Sequence, residues 1–367
     1  VRAAVINEIG SGFEIEDVTI DDPTGAEVLV EVRAAGLCHS DYSLATIDRG
    51  RPLPMVVGHE MAGVVVAVGP EAFGFAPGDH VIGTQIQACG TCRSCSTGKP
   101  YQCSNGGALS RAPEATARLS QADRDITTFG LGAFAEYSLV HQNQLVQVPK
   151  ELPFSQAAIM GCATATGVGS VINSARVRPG ESVVVIGLGG VGLNVLSGAQ
   201  IAGARHIIGI DLQPEKLELA KRFGATHAFN GADPDLKERI HEVTGGGADH
   251  AFEVIGFDET QRQAIDATRI GGAVHFIGIP RSNPFELSVM ADLLVGQRSL
   301  NGIYMGASDM RRDIPYYCDL YLQGRLNLDD LIAQEISLEQ INEAYELQTG
   351  GAIARSIIRF DKNSRKN

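Results

Sequence analysis

In the first part of the chain, up to about residue 150, apolar and polar positions alternate in short runs, the period of half-buried strands. EVLVEVR at 27–33 alternates apolar and charged residues. A β-branched run at 64–68 is stopped by Gly69-Pro70, and Pro77-Gly78-Asp79 turns into a short strand at 80–82. Alternation returns at 144–148. This pattern predicts an antiparallel, barrel-like β domain with few long helices. Beyond Pro153 the period changes. Small residues at 154–172 predict a helix. Strands at 182–186, 206–210, 251–254 and 273–277 then alternate with helices at 190–202, 214–223 and 259–270. Such alternation predicts a parallel, doubly wound sheet. After Asn301 it weakens, leaving a helix at 338–345, a strand at 356–360 that returns to the first domain, and a charged, frayed tail at 361–367.

Composition sharpens this picture at three points. The 43 glycines of 367 residues, without excess proline, fit a globular chain with many tight turns. A net charge of −13 argues against a phosphate backbone as partner and for small molecules. The uncharged stretch 182–204 is long enough to span a bilayer, but its glycines, with Asn194, Ser197 and Gln200, favour a buried strand, turn and helix. Residues 1–20 lack the apolar core of a leader.

Gly187-Leu188-Gly189-Gly190-Val191-Gly192 matches G-x-G-x-x-G between an apolar strand and a helix, and the next strand ends in Asp211. Gly187 allows the tight turn, Gly189 lets a pyrophosphate approach the backbone, and Gly192 lets helix and strand pack. The helix N-terminus favours the phosphates. The Asp211 carboxylate accepts bonds from ribose hydroxyls and repels a 2′-phosphate, which points to NAD over NADP.

Seven cysteines are present, and Cys89, Cys92, Cys95 and Cys103 form C-x2-C-x2-C-x7-C among turn-forming residues. Four thiolates suit a closed, structural zinc, with an iron–sulfur cluster as the alternative. Cys38-His39-Ser40-Asp41, Gly58-His59-Glu60 and Gly161-Cys162 are scattered, and each alone reads more readily as ordinary core or surface.

Taken together, in this order and with this spacing, these motifs from Gly36 to Phe360 resemble the zinc-containing medium-chain alcohol dehydrogenase family, in its liver-type and class III-like bacterial branch. The resemblance implies a GroES-like β-barrel catalytic domain at 1–163 and 302–367, carrying the zinc lobe 89–103, and a doubly wound Rossmann NAD-binding domain at 164–301. It implies that Cys38, His59 and Cys162 hold a catalytic zinc with one open position. It further implies that Glu60 stands beside the metal, that Asp41 orients the ligand histidine, and that Ser40 relays the substrate proton. Zinc would activate an alcohol or carbonyl oxygen, and NAD would exchange the hydride. For the cofactor the family pattern implies contacts from His39, Thr166, Gly187, Gly189, Gly190, Val191, Gly192, Asp211, Lys216, Ile255, Ile277, Ile279 and Arg355. Arg355 corresponds to an arginine that pairs with the pyrophosphate. His39 stands where some relatives carry arginine.

There are departures. The relay histidine of liver-type relatives is Ser43 here, so the relay would use Ser43, Tyr42, water or the cofactor ribose. Gln85 replaces an apolar pocket residue, and Arg49 lies near the pocket mouth, where it reads as a solvated turn or as a contact to an anionic substrate. The expected activity is interconversion of an alcohol and its aldehyde or ketone. A thiol-adduct (S-hydroxymethyl) formaldehyde dehydrogenase, a nicotinoprotein with bound NAD, and a non-catalytic NAD- and zinc-binding protein are the alternatives. Metal-type cysteine spacing predicts a cytoplasmic setting, and the long segment 104–130 resembles dimeric relatives.

Overall fold

The computed structural model describes residues 1–280, 285–349 and 355–360; the charged tail at 361–367 lies outside them. The chain forms two compact units. The first comprises Val1–Cys162, Asp309–Gly324 and the chain from Leu328 onward; the second comprises Ala163–Ser308 with Arg325–Asn327. The C-terminal part of the first unit begins at Asp309 and contains the helix Met310–Leu322. Pro315 inside that helix obscures it in the sequence.

The first unit is built on two sheets. In the larger, the strands Leu145–Gln147, His80–Gly83, Glu60–Val68, Glu27–Gly36, Ser356–Arg359 and Gln334–Ile336 lie side by side, and Tyr137–His141 also pairs with Glu27–Gly36. The alternating run of the sequence is its central strand, and the returning C-terminal strand pairs antiparallel with it, Ile357 against Gly36. The registers Gly36↔Glu60 and Ala35↔Met61 bring the end of one strand beside the start of the next. A Cβ at Gly36 would lie 2.1 Å from Glu60 Oε2, so a larger residue there would displace the Glu60 carboxylate. The core joins Val28, Val30, Val32, Met61, Phe134 and Tyr345. Removing such side chains from water is the main stabilising term.

The second unit holds a six-stranded sheet, all parallel, in the order His227–Asn230, His206–Asp211, Ser182–Ile186, Ala248–Glu253, Thr268–Phe276, Ser299–Gly302. In sequence rank this is 3-2-1-4-5-6, the doubly wound order, whose direction reverses between Ser182–Ile186 and Ala248–Glu253. The polar strand His227–Asn230 and the helix Leu236–Thr244 carry no clear apolar run and are additions to the sequence pattern. The expected helix at 154–172 is helical but not uniform. It runs as Phe154–Ile159 and Ala165–Gly169 with π-helical turns at Met160–Thr164 and Ser170–Ala175.

Candidate active site

Cys38, His59, Glu60 and Cys162 come together in the first unit, each offering one ligand atom, all within 4.8 Å of one another. Cys38 caps the helix His39–Thr46, where strand Glu27–Gly36 ends. His59 and Glu60 lie at the start of strand Glu60–Val68. Cys162 sits in the π-helical turn Met160–Thr164, a local widening often found at functional positions. His59 Nε2 lies 3.2 Å from Cys162 Sγ. His59 and Glu60 are almost wholly buried.

The surrounding shell orients these groups. Asp41 Oδ1 accepts from His59 Nδ1 at 2.9 Å and from the Gly58 N–H at 3.2 Å, so one carboxylate fixes both the ring and the turn that carries it. The Ser40 hydroxyl donates to Cys38 Sγ at 3.3 Å. Ser43 donates to the Ser40 carbonyl at 2.8 Å, so its hydroxyl proton is directed to backbone. Glu60 Oε1 accepts from Arg355 Nη2 at 2.6 Å, and Arg355 Nη1 donates to Leu37 O at 2.9 Å. Arg355 is thereby buried beside Glu60. Glu60 Oε2 and Asp41 Oδ2 have no partner among the described residues. A hydrogen bond from Cys162, helped by the charges of His59 and Arg355, holds the Cys38 thiol well below its usual range. Burial pushes the Glu60 carboxyl up to about 7 against the pull of Arg355.

Two soft thiols, an imidazole and a buried carboxylate oxygen without a partner form a donor set that suits Zn²⁺. Cys89, Cys92, Cys95 and Cys103 form a second group within the same limit. Its sulfurs accept backbone N–H bonds from Cys92 to Cys89 and from Cys89 and Asn105 to Cys103, at 3.3–3.4 Å. Such bonds stabilise thiolates, and four sulfurs close a tetrahedral site. The segment that follows is anchored by Arg111, which bonds Glu27, Asp21 and the Asp22 carbonyl. Arg49 is exposed, whereas Arg51 lies over the Phe129 ring at 4.7 Å.

In the second unit, Gly187 has φ 99° and its N–H donates to Ile210 O. A Cβ on Gly192 would lie 1.8 Å from Gly187 O, and the Cβ position of Gly189 is open. Helix Gly190–Ile201 starts at this turn. Asp211 accepts from the N–H groups of Leu188, Leu212 and Gln213, with Lys216 Nζ at 3.9 Å. Thr166 is buried and donates to Met305 Sδ, and the adjacent Gly167 packs against the Val191 carbonyl. Ile255 and Ile277 are half-buried; His39 and Ile279 are exposed. Glu253 belongs to none of the sequence motifs. It is fully buried at the end of the strand beside the reversal point, where Oε1 accepts from Ile255 N, Gly256 N and Thr260 Oγ1 and its carbonyl accepts from Ile277 N. Its sequence signal is an acid closing an apolar strand before Gly256, the same pattern as Asp211.

Residues 24–150 match the family model described as "Alcohol dehydrogenase GroES-like domain", and residues 190–322 match "Zinc-binding dehydrogenase". The chain is 36% identical to an alcohol dehydrogenase class-3 of Cereibacter sphaeroides, covering 98% of this chain and 99% of the relative. It is also 36% identical to the S-(hydroxymethyl)glutathione dehydrogenase of Paracoccus denitrificans, with the same coverage. Among solved structures, an alcohol dehydrogenase zinc-binding domain protein from Burkholderia ambifaria is 40% identical, with a TM-score of 0.93 and 98% of both chains covered. Benzyl alcohol dehydrogenase from Acinetobacter calcoaceticus is 35% identical, with a TM-score of 0.92, covering 98% of this chain and 99% of that one. No helix among the described residues is long and apolar enough to cross a membrane.

Proposed function

Because the chain belongs to the zinc-containing alcohol dehydrogenase family, an oxidoreductase family, we propose that its own Cys38, His59 and Cys162 hold the catalytic zinc, and Cys89, Cys92, Cys95 and Cys103 a structural one. The observation that carries this reading is the Cys38–His59–Glu60–Cys162 group, all but Cys38 buried, with Asp41 on the far nitrogen of the imidazole. The reaction interconverts an alcohol and its aldehyde or ketone. When bound, zinc supplies a Lewis acid for the substrate oxygen, and NAD supplies the hydride acceptor.

The chain's residues do the rest. Asp41 accepts from His59 Nδ1 and so leaves Nε2 as the ligating nitrogen. The Ser40 hydroxyl, held at Cys38 Sγ, takes up and returns the substrate proton. The Ser43 hydroxyl donates to backbone, which favours Tyr42, water or a cofactor hydroxyl as the next group to take the proton from Ser40. Glu60, with one oxygen on Arg355 and one unpaired, is the carboxylate available for ligand exchange. Gly187, Gly189, Gly190 and Gly192 receive the pyrophosphate, and Asp211 the adenosine ribose. Thr166, Val191, Ile255, Ile277, Ile279, Lys216, His39 and Arg355 complete the cofactor contacts. Arg355 acts through its hold on Glu60 as well as by charge.

A second reading, oxidation of an S-hydroxymethyl thiol adduct, is favoured by the names of relatives such as the Paracoccus denitrificans enzyme. A panel of primary, benzylic and secondary alcohols, and formaldehyde with and without glutathione or mycothiol, followed at NADH absorbance, separates the two. Metal analysis of the same preparation is expected to give two zinc ions per chain. One zinc per chain and no turnover on any arm would overturn the catalytic reading. We place the protein in a reducing cytoplasm as a homodimer. In support, Ser299–Gly302 is an edge strand of its sheet, and Val289, Met290, Leu294 and Val295 before it are each more than 60% exposed. Light scattering at a monomer mass of 38.9 kDa would oppose the dimer.

A further inference from the structure

The metal ligand Cys38 sits on a short connection, and that connection is held from the far end of the chain. Between strand Glu27–Gly36 and helix His39–Thr46 stand only Leu37 and Cys38. Cys38 caps the helix with extended backbone and makes no side-chain cap bond. Three side-chain donors from the C-terminal stretch converge on its two carbonyls. Tyr345 Oη donates to Cys38 O at 3.1 Å, Gln348 Nε2 to Leu37 O at 3.2 Å and Arg355 Nη1 to Leu37 O at 2.9 Å. The Leu37 N–H in turn donates to Ser356 O at 3.0 Å.

Tyr345 and Gln348 both project from the helix Ile341–Thr349, which is itself fixed. Asn342 exchanges two hydrogen bonds with the backbone of Phe13. The Tyr345 ring is 1% exposed, stacked on Phe13 at 5.5 Å and tilted against Tyr42 at 5.1 Å. A side chain so packed has one position for its hydroxyl, which makes the bond to Cys38 O a rigid tie.

We propose that helix Ile341–Thr349 is a clamp on the Cys38 connection, with Tyr345 and Gln348 as positioning residues that hold the catalytic zinc ligand in register with His59 and Cys162. The proposal rests on the reading of those three residues as zinc ligands. Within its own segment the Cys38 carbonyl accepts from the Asp41 N–H at 3.1 Å, and Tyr345 adds a tie to the same oxygen from a distant helix. Loosening a ligand's support weakens metal binding even when all ligands remain.

The test uses the full chain with both metals loaded, as Tyr345→Phe and Gln348→Leu variants. The first keeps the buried ring and the second keeps a long side chain on the helix. Metal release to a chelator, the visible absorption of the cobalt-substituted protein, and KM and kcat are measured. The lobe metal serves as internal reference. The catalytic metal should leave roughly 10-fold faster in each variant, the lower end of the effect of removing a supporting bond around a metal ligand. Cobalt bands from the catalytic site should shift, lobe release should stay at the parent rate, and kcat should fall more than KM changes. Parent-like release and spectra in both variants would overturn the clamp. Equal loosening of both metals would also overturn it, since that reports general destabilisation. A parent protein with zinc in the lobe alone would remove the underlying reading and the clamp with it.

Discussion

Asp211 shows how one side chain can serve both the fold and a ligand. Oδ1 accepts from Leu212 and Gln213, and Oδ2 from Leu188, which orders the turn after one strand and the glycine turn after another. A carboxylate offers about four acceptor positions, so one on Oδ2 remains for a ribose hydroxyl. Asp211→Asn keeps the shape and removes the charge. NADH should bind more weakly and the preference over NADPH should shrink by on the order of 10- to 100-fold, the worth of one charge-assisted hydrogen bond. An unchanged ratio of the two dissociation constants would remove Asp211 from cofactor choice. The residues legible in the sequence are those whose chemistry is written in their own identity and spacing: the four cysteines of the lobe, the glycine turn and this aspartate, whereas Cys38, His59 and Cys162 are legible only together, through the family resemblance. Glu253, Tyr345 and Gln348 are not legible, because their partners are backbone groups brought near only by the fold. No spacing rule ties Tyr345 to Cys38.

At the scale of elements, the apolar runs of the parallel sheet were readable where a strand is buried along its whole length, as Ser182–Ile186 is. The polar strand His227–Asn230 and the π-helical turns were not, since neither leaves a periodic apolar signature. Glu253 joins the ends of two strands, Ala248–Glu253 and Thr268–Phe276. Its side chain holds Ile255 and Gly256 and its carbonyl holds Ile277 and Gly278, so one residue organises both turns beside the reversal point of the sheet. Glu253→Leu leaves two backbone N–H groups buried without an acceptor, at a cost of about 1–3 kcal/mol each. Titration calorimetry should show NADH affinity reduced at least ~10-fold, by the same scale of energy, with zinc content at the parent value. Parent-like affinity would show that these turns do not need the carboxylate to bind cofactor.

At the scale of the whole molecule, each unit carries its own acid-sensitive group, and the two respond over different pH ranges. In the second unit, burial and then the neighbouring His250 push His275 down to about 3, from an ordinary value of 6.5. The ring is bonded to His250 at 3.1 Å and stacked on Phe252, with no water-facing edge for a charge. In the first unit, burial would raise the Glu27 carboxyl, but hydrogen bonds from Arg111, Thr24 and Arg118 outweigh it and bring the group down to about 2, from 4.5. In both cases the unfolded chain binds the proton more readily than the folded one. Stability is therefore complete above the unfolded value and is lost as pH falls toward the folded one. The window opens at pH 6.5 and runs to about 3 for the second unit, and opens at 4.5 and runs to about 2 for the first. Acidification from pH 7 to 5 should thus lower the melting of the second unit while leaving the Glu27 contribution in place. His275→Phe, which stays neutral and fills the stacked position, should flatten the decline between pH 6.5 and 5. Glu27→Gln should be less stable at pH 7, by a few degrees for each ~1 kcal/mol lost, and lose nothing further from this group below pH 4.5. Calorimetric scans of the three proteins at steps of pH test this, and parallel pH profiles for the parent and His275→Phe would show that the buried histidine carries none of the acid sensitivity.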